Sequence, residues 1–366
     1  MKTIPKILVI GASGVLGKLI CRETLRVFNN NVNLLVGDYR RDRGRALALM
    51  LGPKAEYQYI DASNSNSIKV ALKDVSCVII SMNQNEPLIQ TQCIEAKIHC
   101  IDVTASSELL DKVKPLNKKA IASNIALVMF SGFFPGLSGI LIKDTSSDFE
   151  RTDEVNIGLL SSVNAQAGYS GFIQMLEVCH KPVVLKHKNQ EKTFPGFYQK
   201  TYMHFSEPFG RKHVRLVNYS ERAVLAQYLN IPILNYWIGL EKEALTMALG
   251  ILKKIRVTAL CLKNRILGKF FTKVLFKHNP DKPETTALSI SVHGTQCGIS
   301  KTRILTLKAY SDYGVTAAFN AALCWYLVYQ MSSKSLGVRF PFEIVTLSEI
   351  LSIMATEGVT IDDKWI

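Results

Sequence analysis

Paired cysteines are what this chain most plainly lacks. Its eight cysteines (Cys21, Cys77, Cys93, Cys100, Cys179, Cys261, Cys297, Cys324) are scattered, with no C-x-x-C pair and no histidine cluster beside them. That spacing speaks against structural zinc and a disulfide scaffold; it predicts reduced, mostly buried thiols and no metal site. Long apolar runs are also missing. The apolar stretch free of formal charge at 223–240 is interrupted by Asn230, Pro232 and Asn235, which makes it a poor membrane span. The sequence has no internal repeat and no low-complexity linker. Its net charge of +14 comes without a zinc finger or an aromatic-rich RNA-binding pattern, so no nucleic-acid partner is expected. Lys2 and Lys6 before an apolar stretch imitate a secretory leader, but glycines break the stretch and Lys18, Arg22 and Arg26 follow it. A cytoplasmic protein is expected.

With 366 residues, 48% of them hydrophobic, the chain can fill two domains or one large one. Its first part alternates short apolar strands with amphipathic helical stretches, the pattern of a parallel sheet covered on both faces. Strands are predicted at 6–11, 32–37, 56–60, 76–81, 98–102 and 125–131, with helices at 15–28, 41–51, 65–73, 87–96 and 106–122. Beyond 139 the pattern becomes period-two, as in Val155, Ile157, Leu159 and in Leu288, Ile290, Val292, followed by 304–309. Helices are predicted there near 220–229, 241–255 and 262–277. After Gly314, Ala317, Ala318, Ala321, Ala322 and Leu323 give a helix with a small-residue face.

The strand at 6–11 runs into GASGVLG, with glycines at Gly11, Gly14 and Gly17. A strand that ends on glycine, turns tightly and opens a helix presents free backbone N–H groups, which suits a pyrophosphate. Asp38, at the end of the second strand and about 20 residues past the last glycine, is placed to accept hydrogen bonds from an adenosine ribose. Its carboxylate favours NAD. Arg40, Arg41 and Arg43 follow it, which keeps NADP as the alternative unless they only solvate the next helix. In an open parallel sheet the reacting end of such a ligand meets the loops after strands four, five and six. Asp102, Thr104 and Glu108 are the proton-transfer candidates there, while Asp102 is equally explained as a carboxylate tying down its own loop. His99 reads as structural. Gly132, Pro135 and Gly136 read as a rigid turn.

Several segments together resemble the saccharopine dehydrogenase-like family of NAD(P)-binding oxidoreductases over nearly the whole chain. They are GASGVLG at 11–17, DASN at 61–64, HCIDVT at 99–104, GFFPGLS at 132–138, HGTQCG at 293–298, GVTAAFNAA at 314–322 and GVRFPFE at 337–343. The resemblance implies a Rossmann-type doubly wound parallel sheet, residues 1–140 and 314–366, with a second α+β domain, 141–313, inserted before the C-terminal helices for substrate and dimer contacts. The expected cofactor-binding residues are Gly11, Ser13, Gly14, Val15, Leu16, Gly17, Asp38, Tyr39, Arg40, Asp61, Ala62, Ser81, Met82 and Gly132. The expected catalytic residues are Asp102 and Thr104. Phe134, Asn83 to Asn85, and Ala105 with Ser106 depart from acidic or Gly-Pro and Gly-Glu positions common in the family. The expected activity is hydride transfer to or from a C=N, C=O or C=C group of a small metabolite or lipid-like substrate by a homodimer; a nucleotide-binding accessory protein without turnover is the alternative. Saccharopine itself calls for cationic clamps, for which Arg211, Arg215 and Arg222 are available.

Residues 244–280 carry Lys253, Lys254, Arg256, Lys263, Arg265, Lys269, Lys273 and Lys277 and no acidic residue. A helix over 262–277 gathers Ile266, Leu267, Phe270, Phe271, Val274 and Leu275 into one apolar stripe, with the lysines of that span on other sides. Such a helix either packs its stripe on its own domain or rests on a membrane surface, giving peripheral membrane contact through 244–280.

Overall fold

The computed structural model describes residues 4–165, 168–187, 190–276, 278–279, 281–355 and 358–366. Lys277 and Pro280, counted in the basic stretch, and Lys2 lie outside the described residues. In chain order the elements are β1 (Lys6–Ile10), α1 (Val15–Val27), β2 (Asn33–Asp38), α2 (Arg41–Leu51), β3 (Ala55–Tyr59), α3 (Ser65–Ala71), β4 (Cys77–Ile80), α4 (Leu88–Ala96), β5 (His99–Asp102), α5 (Ser107–Val113), α6 (Asn117–Ala122), β6 (Ala126–Val128) and α7 (Leu137–Ser146). There follow β7 (Arg151–Ser161), α8 (Tyr169–His180), β8 (Val183–His187), β9 (Gln190–Phe194), β10 (Lys200–Phe205), β11 (Gly210–Val217), α9 (Glu221–Tyr228), β12 (Ile233–Leu240), α10 (Glu243–Lys254), α11 (Val257–Lys263), α12 (Arg265–Leu275), β13 (Thr286–Gln296) and β14 (Ile299–Ala309). The chain closes with α13 (Asp312–Tyr329), β15 (Gly337–Arg339), α14 (Pro341–Ile344), α15 (Leu347–Met354) and β16 (Thr360–Trp365).

Two compact units result, Met1–Ile140 with Tyr313–Thr356, and Leu141–Asp312 with Glu357–Ile366. The first contains an all-parallel sheet in the order β15-β6-β5-β4-β1-β2-β3. This is the doubly wound Rossmann order with one strand added beyond β6. Its central strands are buried throughout, Ile7 to Ile10 and Cys77 to Ile80, because helices cover both faces. The helix predicted over 106–122 is two helices: Pro115 has no N–H to donate and crowds the preceding turn, so a 3-10 turn at Lys114–Leu116 separates α5 from α6. The small-residue helix α13 is buried all round from Gly314 to Cys324.

The second unit is built on a mixed sheet in the order β10-β11-β12-β7-β13-β14-β16, in which β7 and β12 run parallel and the other neighbours antiparallel. Leu160, Phe205, Val214, Leu216, Trp237 and Ala287 form part of its core. Residues 357–366, expected with the first domain, are a correction: β16 pairs with β14 in the second. The helix predicted over 262–277 begins at Arg265, after Asn264 ends α11 and accepts the N–H groups of Ile266 and Leu267 at 3.0 and 3.1 Å.

Candidate nucleotide site

The parallel sheet brings the C-terminal ends of β1 to β6 to one edge, and every candidate residue of the first unit lies there, at a strand end, in the loop after it or in the first turn of the next helix. Gly11 has φ +79°, and its N–H and that of Ala12 both donate to the Gly37 carbonyl, at 3.0 and 3.1 Å. A Cβ on Gly11 would come within 2.9 Å of the Ser81 carbonyl oxygen, and one on Gly17 would run into the Gly11 carbonyl. Those two glycines are demanded by the chain's own backbone. Gly14 is different: it is exposed, has extended φ/ψ at the N-cap of α1, and a Cβ there would meet only the Gly11 oxygen, at 3.2 Å. The first bond of α1 runs from the Lys18 N–H to the Gly14 carbonyl, so the N–H groups of Val15, Leu16 and Gly17 precede the helical ladder. Ser81, beside Gly11, holds a buried hydroxyl oxygen with no hydrogen-bond partner among the described residues. Unspent donors, an orphaned hydroxyl and a side-chain-free approach fit a dinucleotide pyrophosphate.

Asp38 is 6% exposed. Its Oδ2 accepts the Ser13 hydroxyl at 2.5 Å and the Ser13 N–H at 3.2 Å, and its Oδ1 accepts the Arg40 N–H at 2.8 Å. Asp38 thus fastens the second strand to the glycine turn, a role the sequence did not reveal, and keeps one acceptor position for a further donor. The arginines after it lean on tyrosines: Arg40 donates to the Tyr39 hydroxyl at 2.7 Å and lies 5.2 Å from that ring, while Arg41 lies 4.5 Å from the Tyr59 ring. Asp61 accepts the N–H and hydroxyl of Ser63 at 2.9 and 2.6 Å, which holds its carboxyl below the usual range; Ala62 sits in that same turn.

Asp102 ends β5 and is fully buried. Its Oδ2 accepts Nε2–H of Gln84 at 2.9 Å and of Gln90 at 2.8 Å; its Oδ1 accepts the Thr104 N–H at 2.8 Å. Burial pushes the carboxyl up to about 7, against these hydrogen bonds, which favour the ionised form. Thr104 donates its hydroxyl to the Met82 carbonyl at 3.2 Å, joining the loops after β4 and β5. The Asp102 carbonyl accepts the Ser131 N–H at 3.1 Å, which joins the loop after β6. That loop is anchored by α13: Thr316 Oγ1 accepts the Phe133 N–H at 3.0 Å, and Asn320 exchanges hydrogen bonds with Ser131. Gly132 lies within 2.9 Å, by a Cβ, of the Pro135 carbonyl, so the turn itself requires glycine there. Glu108 is exposed and accepts the Ser106 hydroxyl. His99 accepts the Ala126 N–H through Nδ1 at 3.2 Å, the structural role expected of it.

Sequence reasoning missed Gln84, Gln90, Thr316 and Asn320. Gln84 falls within the Asn83 to Asn85 segment noted as a departure, and Gln90 is a lone buried polar side chain on an otherwise apolar helix face.

Residues 7–128 match the family described as the saccharopine dehydrogenase NADP binding domain. Among solved structures, the chain is similar to apo saccharopine dehydrogenase (L-Glu forming) from Saccharomyces cerevisiae, with TM-score 0.69 and 14% identity over 99% of this chain and 100% of that one. It is also similar to C. glutamicum DAP dehydrogenase in complex with DAP, with TM-score 0.48 and 11% identity over 97% of each chain. The likeness to the yeast enzyme is one of fold. No curated protein sequence matches.

Proposed function

We propose that this chain, an NAD(P)-dependent oxidoreductase of the saccharopine dehydrogenase-like family, moves hydride to or from a C=N, C=O or C=C group of a small metabolite or lipid-like substrate. The bound nicotinamide supplies the hydride chemistry. Val15, Leu16 and Gly17 offer backbone donors to the pyrophosphate, Gly14 leaves room for it, and Asp38 takes a ribose hydroxyl.

The observation that carries the reading is Asp102. Its fully buried carboxyl stands at the end of β5, where Gln84, Gln90 and the Thr104 N–H converge on it, and burial pushes it up to about 7, the range that suits a proton-transfer group. Enclosed as it is, Asp102 acts as a positioning residue: it holds Gln84 and Thr104 at the sheet edge, with the Thr104 hydroxyl as the group nearer the substrate.

Of the three arginines considered for carboxylate clamps, Arg222 donates to the carbonyls of Leu234 and Val184, Arg215 donates to that of Phe197 while its buried Nε has no partner among the described residues, and the exposed Arg211 lies 4.7 Å from the Tyr202 ring.

Turnover of NADH or NADPH against panels of imines, ketones and enoyl compounds tests the proposal. Activity whose kcat falls in Asp102→Asn by about 10²-fold, with nucleotide affinity kept and the neutral pKa gone from the pH profile, supports it. Nucleotide binding with no turnover on any panel would leave the accessory-protein alternative, and unaltered kcat and pH profile in Asp102→Asn would return that residue to a loop tie.

A further inference from the structure

The sequence leaves open whether the apolar stripe of α12 packs inward. The structure divides it. Leu267, Phe271 and Leu275 are half-buried, while Ile266, Phe270 and Val274, spaced i, i+4, i+8, are 81%, 60% and 51% exposed. What α12 buries is small: Gly268, where a Cβ would lie 2.9 Å from the Tyr169 ring of α8, and Thr272. With glycine and threonine on the inner face the helix lies close on α8, and Ile266, Phe270 and Val274 stay outside.

A second line of the same spacing runs along α10. Met247, Ile251 and Ile255 are exposed, whereas Thr246 and Leu249 are buried and Gly250 lies against Arg215. Leu260 is exposed on α11, which packs against both α10 and α12. Ordinary surface helices do not leave two such lines uncovered.

Charge says what covers them. Lys254, Arg256, Lys263, Arg265, Lys269 and Lys273 are all exposed, no acidic residue lies from Ala244 to Phe276, and no ion pair among the described residues involves these cations. A second copy of this chain would bring like charges together across a two-fold contact. A leaflet of anionic lipid supplies both an apolar boundary for Ile266, Phe270 and Val274 and counter-charge for the lysines beside them. No described helix is long and apolar enough to cross a membrane, so the contact would be peripheral.

We infer that α10 to α12 form a docking surface for an anionic lipid membrane. The surface belongs to the second unit and does not depend on the reaction proposed above.

Sedimentation with phosphatidylcholine vesicles, with and without phosphatidylserine, tests it on the full chain. Binding is expected only with phosphatidylserine and is expected to weaken as salt rises. Ile266→Ser/Phe270→Ser and, separately, Lys269→Glu/Lys273→Glu should each lower the bound fraction about tenfold. Both pairs are exposed, so unchanged circular dichroism and nucleotide affinity serve as folding controls. No binding to phosphatidylserine vesicles at low salt, or equal binding to neutral ones, would overturn the inference. So would a dimer lost in Ile266→Ser/Phe270→Ser, which would assign the surface to a second copy.

Discussion

At the scale of single residues, the three glycines of the first turn separate by what surrounds them. Gly17 faces the Gly11 carbonyl at a distance no Cβ tolerates, so Gly17→Ala should destabilise the protein by about 1–3 kcal/mol in urea unfolding. Gly14 is less confined, since a Cβ there would meet only the Gly11 carbonyl oxygen, at 3.2 Å. Gly14→Val should cost less stability than Gly17→Ala, about 1 kcal/mol or under, while weakening nucleotide binding at least about tenfold in calorimetry. A folded Gly14→Val protein with undiminished affinity for NADH and NADPH would remove the nucleotide from this turn. Asp38 carries the finer choice. Three donors from the chain already reach its carboxylate, and the remaining acceptor position suits a hydroxyl and opposes a phosphate. The wild-type protein should bind NADH more tightly than NADPH. Asp38→Ser should shift that ratio toward NADPH about tenfold, with some loss of affinity for both because the Ser13 tie is lost as well. Tighter NADPH binding by the wild type would give the choice to Arg40 and Arg41.

Among the elements, Asp102 links the loops after β4, β5 and β6, and its titration should be visible in stability. Its pKa is about 7 in the fold and about 4 in the unfolded chain. Below pH 4 it is protonated in both states and costs nothing; as pH rises to 7 the unfolded chain ionises more readily, so stability falls, by about 4 kcal/mol at most. Asp102→Asn should remove that slope, measured as unfolding free energy in urea at pH 5 and pH 8, and equal slopes in the two proteins would refute the shift. The strands around this carboxylate were legible because a parallel sheet covered on both faces needs continuous apolar runs, and Ile7 to Ile10 and Cys77 to Ile80 are such runs. β15 was not legible, since Gly337–Arg339 is too short to show a period. β12 has Leu234 to Leu240 all buried and so lacks the alternation that marks a half-exposed strand. The site divides in the same way. The glycine turn is local in sequence and could be read directly, whereas Gln84, Gln90, Thr316 and Asn320 reach their partners only once the sheet has formed.

Across the whole molecule, the chain returns to its second unit at the very end. β16 reads T-I-D-D-K-W, polar enough to pass for a loop, and most of its side chains are exposed, as suits a charged edge strand. Its place is secured by Arg303, which is 9% exposed and donates to Asp363 through Nε and NH2 and to Asp148 through NH1 at 2.7 Å. The Trp365 ring lies 5.3 Å from that of Phe149, and the Arg303 guanidinium 5.5 Å from it. Burying one arginine between two acids leaves it dependent on both. Asp363→Ala takes away the partner that binds two guanidinium nitrogens, and should cost about 2 kcal/mol in urea unfolding. Nucleotide affinity should stay within about twofold, because every residue assigned to the nucleotide is in the first unit. An unchanged unfolding free energy would show that Asp148 alone satisfies Arg303. A fall in nucleotide affinity alongside stability would show instead that the two units are coupled through the closing strand.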